Sequence, residues 1–455
     1  MGTWNVAIVG GGPGGLMTAH ALQREARVPL RITIYEASDR LGGKVLTPSF
    51  TRLPARYEAG AAEFYDYSGV GPDPLKELVL DLGLPITPMG GSALIMDGRV
   101  IANTDDVRDA LGTEAAAALS RFDRFARDAV GPHDFYRGER SPAVASLADG
   151  FDTVLARMGH PAARRYVEQL IHSDLATEPV RTSVAYGLDN YLMNDPAYMR
   201  LYAIDGGNER LVTGLDGRIR ATRRMRHRVT RVGQGTVGRL RVKAVHAGRE
   251  RDDDFDAVVV ALPVDHLKSV EFAGPRLTAA LRRHVAHHDH PAHYLRITIL
   301  FDRPFWRPRL ADSFFMLDRF GGCCLYDESS RTPGVPHGVL GWLLGGDAAV
   351  EMSRLGDDEL VEAALDALPE FLAPGRRHAL EGHVHRWTGA VNAMPGGPAP
   401  LPLDRRHCVE PVEHPGLFLV GDYLFDSTLN GVLDSAEHVA GWIADLAAAR
   451  QEAVA

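Results

Sequence analysis

The clearest pattern of apolar and polar positions lies at the start of the chain. Four apolar residues, 6–9, are followed by a glycine turn, a helical pattern and a second apolar run, 32–35, that ends at Glu36. The turn consists of Gly10, Gly11, Gly12, Pro13, Gly14 and Gly15. This order predicts a strand, a tight turn, a helix and a second, parallel strand.

A glycine turn in this context suits the diphosphate of a dinucleotide. Gly12 has no side chain, so the backbone can approach a pyrophosphate, and Gly15 lets the helix pack close to the strand. The helix N-terminus offers free N–H groups and the positive end of its dipole to the phosphates. Glu36 can accept hydrogen bonds from a ribose diol, which favours FAD or NAD over NADP.

Other apolar runs predict strands further along the chain. The run 256–263 is expected to be a buried strand of the parallel sheet, stopped by Pro263. Alternation over 227–245 predicts antiparallel strands, and 295–301 and 416–422 predict two more strands.

Helical periodicity appears in three stretches. Residues 105–130 are predicted to form one amphipathic helix, and 150–200 and 358–373 are predicted to be largely helical. The buried face of the first helix is expected to hold Leu111, Leu119, Phe122 and Phe125.

Bulk composition narrows the class of protein. The chain has 455 residues, of which 45% are hydrophobic and 24% are charged, and its formal net charge is -9. This length exceeds one compact core, so two or more domains are expected. The negative charge argues against a broad nucleic-acid surface, and no nucleic-acid partner is expected.

The location of the protein is predicted from absences in the sequence. No apolar run approaches the roughly 20 residues of a membrane span, and the early strand leaves no room for a signal peptide. Cys323, Cys324 and Cys408 cannot form a disulfide framework. The vicinal pair is expected to be packing residues, because adjacent cysteines bridge only with strain. We therefore expect a reduced, cytoplasmic protein.

Both ends of the chain resemble the flavin amine oxidase superfamily. After Glu36, the sequence Arg-Leu-Gly42-Gly43-Lys44 resembles the second glycine element of that superfamily, with lysine where members usually have arginine. Near the C-terminus, Gly421-Asp422 and the following segment into an alanine-rich helix resemble its ending. The resemblance is specific at both ends and looser between them.

The resemblance implies noncovalent FAD and a set of residues that would bind it. Those residues are Gly10, Gly12, Pro13, Gly14, Gly15, Glu36, Gly42, Gly43, Lys44, Gly60, Ala61, Val229, Gly421, Asp422 and Leu429.

The resemblance also implies an α/β fold with two interleaved domains. A Rossmann-like FAD-binding domain, a parallel sheet with an antiparallel insertion, is expected from 1–92, 203–268 and 405–455. A mixed α+β substrate domain is expected from 93–202 and 269–404.

Two departures from the superfamily concern the reacting centre. Arg296 occupies the position at which many amine oxidases have a lysine that holds a water at flavin N5. Glu63 stands where L-amino-acid oxidases have an arginine for the substrate carboxylate, which counts against a free α-amino acid. Glu63 could bind a cationic amine or act as a base. We predict an ion pair between Glu63 and Arg296; a purely structural pair is the alternative.

Further pocket residues are less sharply indicated. Tyr191 is a third catalytic candidate and Tyr186 a pocket candidate, although both could equally be core aromatics. Trp387 and Thr428 are assigned to the substrate pocket. Thr428 replaces a cage tyrosine of monoamine oxidases, and the segment after Trp387 offers neither a second tyrosine nor a cysteine to tether FAD. A more open pocket is expected.

The histidine-rich run is interpreted as a solvated helix end, and no metal site is expected. It comprises His284, His287, His288, His290 and His293.

These observations lead to a functional hypothesis. No second glycine turn for NAD(P)H follows a strand, so a small organic substrate is expected to reduce the flavin and O2 to reoxidise it. The predicted reaction removes hydride from a C–H next to nitrogen in an amine, amide or modified amino compound of specialised metabolism. The resulting imine is hydrolysed or cyclised. Alternatives are a carbon–carbon desaturase of the phytoene desaturase or protoporphyrinogen oxidase type and a non-enzymatic carrier. The oligomeric state is open, with a homodimer among the alternatives.

Overall fold

A computed structural model describes residues 3–91, 93–138, 150–236, 238–332, 334–392, 401–425 and 427–452. The strands are β1 (Trp4–Val9), β2 (Leu30–Tyr35), β3 (Phe64–Asp66), β4 (Ile86–Met89), β5 (Leu94–Met96), β6 (Arg99–Ile101), β7 (Arg200–Ile204), β8 (Ala221–Arg224), β9 (Arg228–Gln234), β10 (Leu240–His246), β11 (Arg249–Phe255), β12 (Ala257–Val260), β13 (Glu271–Ala273), β14 (Pro291–Phe301), β15 (Phe314–Leu317), β16 (Cys323–Asp327), β17 (Gly338–Gly345), β18 (Ala379–Asn392) and β19 (Leu417–Leu419).

The helices are α1 (Pro13–Glu25), α2 (Pro74–Asp81), α3 (Thr104–Leu111), α4 (Thr113–Ala129), α5 (Pro132–Arg137), α6 (Phe151–Ala156), α7 (Pro161–Leu175), α8 (Val184–Leu192), α9 (Arg210–Arg218), α10 (Val264–Leu267), α11 (Pro275–His288), α12 (Gly346–Met352), α13 (Asp357–Asp366), α14 (Leu403–His407) and α15 (Leu429–Glu452). Among the described residues, no helix combines the length and the apolar composition needed to cross a membrane.

A five-stranded parallel sheet in the order β19-β12-β1-β2-β8 forms the centre of one half of the molecule. Residues on β1 point alternately to its two faces. Val6 and Ile8 pack in the core beneath α1 and α15. Ala7 and Val9 pack in a second core, against the four-stranded sheet β11-β10-β9-β13. The glycine turn after β1 therefore lies at the carboxyl edge of a sheet covered on both faces.

A seven-stranded sheet in the order β18-β14-β17-β16-β15-β5-β6 forms the other half. On β14, Leu295, Ile297 and Ile299 are fully buried in a core with Leu360 of α13 and Ala349 of α12. The helices α3 to α8 pack on the opposite side, against residues of β15 and β16.

The predicted α/β class is confirmed, with a parallel sheet and antiparallel sheets, and so are the strands at 257–260 and 417–419. One helical prediction is wrong. Residues 105–130 form two helices rather than one, because Gly112 between α3 and α4 has φ +92°. Phe125, predicted to be buried, is 43% exposed. The domain boundaries stay a prediction.

Candidate active site

Two glycine turns meet beside the N-terminus of α1. The backbone N–H of Gly42 donates to the carbonyl of Gly11 at 2.8 Å. A Cβ on Gly43, where φ is +52°, would lie 3.3 Å from the Cα of Gly12. The two turns therefore lie face to face with no side chain between them, which leaves a cradle of backbone groups.

The start of α1 is open to an anion. Its cap residue, Gly12, provides no side-chain hydrogen bond, so the N–H groups of the first turn are not capped by it. A Cβ on Gly15 would lie 2.0 Å from the carbonyl oxygen of Gly10, so only glycine allows the helix to start here. The carboxylate of Glu36 accepts the N–H of Gly11 at 2.8 Å, which places this acid at the turn.

Residues from the middle and the end of the chain complete this region. Lys44 Nζ lies 3.6 Å from Asp422 Oδ2, so the second glycine element and the C-terminal motif are in contact. Ala61 N–H donates to the Lys44 carbonyl at 3.0 Å, and a Cβ on Gly60 would lie 1.8 Å from that carbonyl oxygen. The predicted cofactor residues of three distant stretches thus come together.

Two other predicted cofactor residues, with Thr428, lie in regular elements of the same half. Leu429 begins α15, and Thr428 Oγ1 accepts the N–H of Gly431 at 3.1 Å, which caps that helix. Val229 is buried on β9. The glycine cradle, the open helix start and the Lys44–Asp422 pair fit a dinucleotide diphosphate.

A polar face of the seven-stranded sheet forms the second half of the site. Residues directly opposite one another in an antiparallel sheet share a face. Arg296 on β14 lies opposite His385 on β18 and Leu343 on β17, while its sequence neighbours face the apolar core. Tyr294 and Thr298 share the face of Arg296 because they lie two residues away.

A buried network of two arginines and two glutamates crosses this face. Arg296 Nη2 forms an ion pair with Glu328 Oε1, and both side chains are buried. Arg331 Nη1 lies 3.2 Å from Glu328 Oε2 and 3.3 Å from Glu58 Oε1. The Arg296 guanidinium also lies 4.9 Å from the centre of the Tyr326 ring.

The network shifts the protonation of its members. Burial alone would lower the pKa of the Arg296 guanidinium, but Glu328 and the other nearby acids outweigh it and raise that pKa. Burial raises the pKa of Glu58 to about 7, although Arg331 opposes the shift. Arg296 is therefore a permanent cation, whereas Glu58 titrates near neutrality.

Several side chains around this face keep polar atoms without a hydrogen-bond partner among the described residues. They include Nε and Nη1 of Arg296, Oε2 of Glu63 and Oγ1 of Thr298. Buried polar atoms are normally satisfied, so each such atom indicates a missing ligand or water. These atoms fit the polar edge of a bound flavin or a substrate.

Glu63 shares its surroundings with a second acid, Asp174 of α7. Burial raises the pKa of Glu63, and Arg296 and Tyr326 oppose that shift. Burial raises the pKa of Asp174 to about 7, Asn194 opposes the shift, and the charge of Glu63 adds to it. The two carboxyl groups therefore repel each other when both are ionised. One cation close to both would stabilise their ionised forms.

Tyrosines surround the two acids. Tyr65 and Tyr294 are both close enough to Glu63 and Asp174 for the charges of these acids to raise the pKa of each phenol. Tyr186 acts on Tyr294 in the same way. Burial, first among several causes, holds the pKa of Tyr65 and Tyr294 well above the usual range, so both phenols are neutral. Tyrosines from other elements thus lie close to the two acids, and the open pocket expected from the lack of a tyrosine cage stays a prediction.

Trp387 connects the sheet to the loop that carries Gly60. Its indole Nε1 donates to the carbonyl of Ala59 at 2.7 Å. On the same strand, His385 Nε2 lies 3.2 Å from the Tyr57 hydroxyl, and burial lowers the pKa of His385 to about 4. Residues 393–400 after Trp387, part of the stretch predicted to lack a cage tyrosine and a tethering cysteine, lie outside the described residues.

Two predictions about catalytic residues differ from the structure. The direct partner of Arg296 is Glu328, not Glu63, because Glu328 follows β16 immediately on the same sheet face. Tyr191 lies between α8 and α4, where its hydroxyl donates to Asp123 at 3.1 Å and its ring packs on Phe122. A hydroxyl held there does not reach the Arg296 network.

The histidine-rich run is not a solvated helix end. His284 and His288 are buried on α11, with ring centres 4.5 Å apart, and both pack against Tyr423. Burial lowers the pKa of His288 to about 3, so it is neutral. Helical spacing of four residues puts both imidazoles on the inner face of α11.

One group of potential metal ligands, Glu410, Glu413 and His414, occurs among the described residues. Its members already pair with one another, with His414 Nδ1 3.1 Å from Glu410 Oε2, and with Arg276. The expected lack of a metal stays a prediction.

Several residues of the site were missed by the sequence analysis. Glu328 and Arg331 lie in a short turn after β16 that has no recognisable motif. Asp174 lies near the end of α7 in a mixed polar and apolar sequence, which gave no usable signal. The alternation Tyr294-Leu295-Arg296-Ile297-Thr298 marked a polar sheet face and could have identified Tyr294.

The glycine cradle and the buried polar sheet face fit a flavoprotein that binds a dinucleotide beside a charged site. The family of flavin-containing amine oxidoreductases matches residues 13–444. The chain therefore belongs to this family; it is an oxidoreductase, and its cofactor is FAD, held noncovalently.

Individual relatives agree with this assignment. The chain is 23% identical to polyamine oxidase 2 of Arabidopsis thaliana over 402 residues, 86% of this chain and 76% of that protein. Its fold is similar to that of cyclohexylamine oxidase from Brevibacterium oxydans IH-35A (TM-score 0.73, 20% identity, 98% and 99% of the two chains). A putative protoporphyrinogen oxidase from Exiguobacterium sp. 255-15 also shares the fold (TM-score 0.71, 19% identity, 98% and 100%).

Proposed function

We propose that the protein oxidises an amine, which it binds as a cation between Glu63 and Asp174. The observation that supports this proposal most strongly is that the carboxyl groups of Glu63 and Asp174 interact and that each has a raised pKa. Two acids that repel each other gain most from a shared positive charge. An ammonium group supplies that charge, whereas a neutral amide or a hydrocarbon does not.

The residues of the pocket have separate duties in this proposal. Glu63 and Asp174 orient the ammonium group. Asp174, whose pKa is raised to about 7, can take up its proton, because an acid with a pKa near neutrality is an effective base. The rings of Tyr65, Tyr186 and Tyr294 form walls that exclude water. Arg296 holds a fixed positive charge close to Glu63, and two of its guanidinium nitrogens have no hydrogen-bond partner among the described residues. FAD, when bound, accepts the hydride from the carbon next to nitrogen.

The product of such a reaction is an imine, which water or an internal nucleophile would trap. O2 is the proposed electron acceptor and hydrogen peroxide the accompanying product. A role in specialised metabolism is part of the proposal because Arg296 and Glu63 differ from the residues of simple catabolic amine oxidases.

A desaturase acting on a large apolar substrate is the second candidate, since a putative protoporphyrinogen oxidase shares the fold. The charged pocket favours the amine.

The test is an anaerobic screen of flavin bleaching with primary and secondary amines, their N-acetyl derivatives, porphyrinogens and polyenes, followed by peroxide detection in air. We expect bleaching by amines alone. Bleaching by porphyrinogens or polyenes, and not by amines, would overturn the proposal.

A further inference from the structure

Contacts other than the pair with Arg296 hold the Glu328 carboxylate in place. One carboxylate oxygen accepts the backbone N–H of Glu58 at 3.3 Å and lies 3.2 Å from Arg331 Nη1. The other oxygen pairs with Arg296. The carboxylate is thus held from the side away from Arg296, and it leaves the guanidinium little freedom to rotate.

Neighbouring groups also fix the position of the guanidinium. A Cβ added to Gly341 would lie 3.3 Å from Arg296 Nη2 and 3.2 Å from Glu328 Oε1, so a larger residue at this position of β17 would crowd the pair. Tyr326 covers the guanidinium, with its ring centre 4.9 Å from Cζ. A cation over an aromatic face is stabilised in this arrangement.

The pairing leaves part of the guanidinium unused. Nε and Nη1 of Arg296 have no hydrogen-bond partner among the described residues. Arginine stays protonated and presents its donors in a rigid plane. It can therefore donate hydrogen bonds but cannot take up the substrate's proton.

We propose that Glu328 is a positioning residue that fixes Arg296 as a permanent cation with two N–H donors directed to the flavin side of the pocket. This inference rests on the proposed function only in taking this sheet face as the place where flavin and substrate meet. A fixed positive charge stabilises the negative charge that reduction places on the cofactor. Proton uptake from the substrate then falls to the carboxyl groups across the pocket.

The test is a double-mutant cycle on the FAD-loaded protein, with Glu328→Gln and Arg296→Met alone and together. The first readout is the midpoint potential of the bound FAD without substrate, and the second is the rate constant of anaerobic reduction by an amine. Glu328→Gln should slow reduction about tenfold or more, as expected for the loss of one charge-assisted hydrogen bond. In the Arg296→Met background the same change should have almost no effect on either readout.

The matched control is Asp327→Asn. Asp327 is also buried, is the preceding residue, and pairs with Arg307 at 3.2 Å rather than with Arg296. We expect this variant to leave the potential unchanged. An equal effect of Asp327→Asn, or an effect of Glu328→Gln that persists without Arg296, would overturn the proposal.

Two further variants keep the test decisive if Glu328→Gln does not fold. Gly341→Ala crowds the pair without changing any charge and should lower the midpoint potential, because the cation that stabilises the reduced cofactor is displaced. Arg296→Lys substitutes a base whose pKa falls on burial, so the plot of potential against pH should gain a break. An unchanged plot contradicts the proposal. If no amine reduces the flavin, the proposed function fails. This inference still stands if the effect of Glu328→Gln on the midpoint potential depends on the presence of Arg296.

Discussion

The two halves of the site are built in different ways. The nucleotide half is made of backbone: glycine turns from 10–15 and 42–43 touch each other, and the start of α1 stays open. The substrate half is made of side chains on one face of a sheet, with Arg296, Glu328, Arg331 and Glu58 buried together. The first half would bind mainly through backbone geometry, and the second through charges removed from water.

This difference determines how each half should respond to change. A backbone cradle tolerates no added atom at its contact points but is insensitive to pH. A buried charge network tolerates changes of shape better than changes of charge, and the pKa of its Glu58 is raised to about 7. The predictions below test this contrast.

The largest effect is expected in the nucleotide half, from Gly15→Ala. The new Cβ would lie 2.0 Å from the carbonyl oxygen of Gly10, so the turn must distort at a cost of about 3 kcal/mol or more. We expect protein purified without FAD, as measured from the ratio of flavin to protein absorbance. Gly217→Ala is the control, because a Cβ on Gly217 of α9 meets no atom within 4 Å. Full flavin content in Gly15→Ala would refute the backbone-cradle interpretation.

The next effect concerns Asp174, whose pKa is raised to about 7. If Asp174 holds the substrate cation, amine affinity should increase as pH rises through about 7 and this carboxyl group ionises. In Asp174→Asn that increase should disappear, and affinity at higher pH should fall about tenfold, equivalent to about 1.4 kcal/mol. The measurement is the apparent dissociation constant from anaerobic flavin reduction across pH. An unchanged pH profile would exclude Asp174 from the site.

Glu58 tests the charge network through stability. Its pKa is raised to about 7 in the folded protein, so the folded state binds more protons than the unfolded state between about pH 4.5 and 7. The stability from Glu58 is present at low pH and is lost as pH rises. Glu58→Gln should therefore gain melting temperature relative to wild type from about pH 5 to about pH 8. Exposed Glu351→Gln, the control, should show a constant difference.

The smallest effect is expected from the neutral histidines beside Tyr423. Burial lowers the pKa of His284 well below its usual value, so the folded protein loses stability as pH falls below about 6.5. His284→Leu removes one such base and should move the acid-unfolding midpoint, followed by circular dichroism, to lower pH. His133→Leu, at an exposed position, is the control. A shift of equal size in both variants would argue against the buried cluster as the cause.

The contrast also explains what could be predicted from the sequence. The parallel sheet, the glycine turns and the approach of Asp422 to Lys44 were predictable, because each depends on local backbone rules or on a family motif. Arg296 was identified by its register with other members of that superfamily. Its partner was not, since Glu328 is adjacent to Arg296 only through strand pairing across 32 residues.

Predictions of burial were less successful where periodicity was the only guide. Phe125 fits the apolar stripe of one continuous helix but is exposed. The helix is interrupted at Gly112, so the residues of α4 face the core in a different order from those of a single helix. His284 and His288 look like solvated residues in the sequence, yet their spacing of four places both against Tyr423. In both cases tertiary packing, which the local pattern does not contain, determined the outcome.

The central claim is that the pocket recognises the positive charge of an amine through Glu63. The most direct measurement compares anaerobic flavin bleaching by an amine and by the alcohol of the same shape, in wild type and in Glu63→Gln. We predict that the wild type is bleached by the amine and not by the alcohol. We also predict that Glu63→Gln reduces the rate constant with the amine about 100-fold, the loss expected when a buried charge pair loses one partner. Equal bleaching by both compounds, or an unchanged rate constant in Glu63→Gln, would contradict the account.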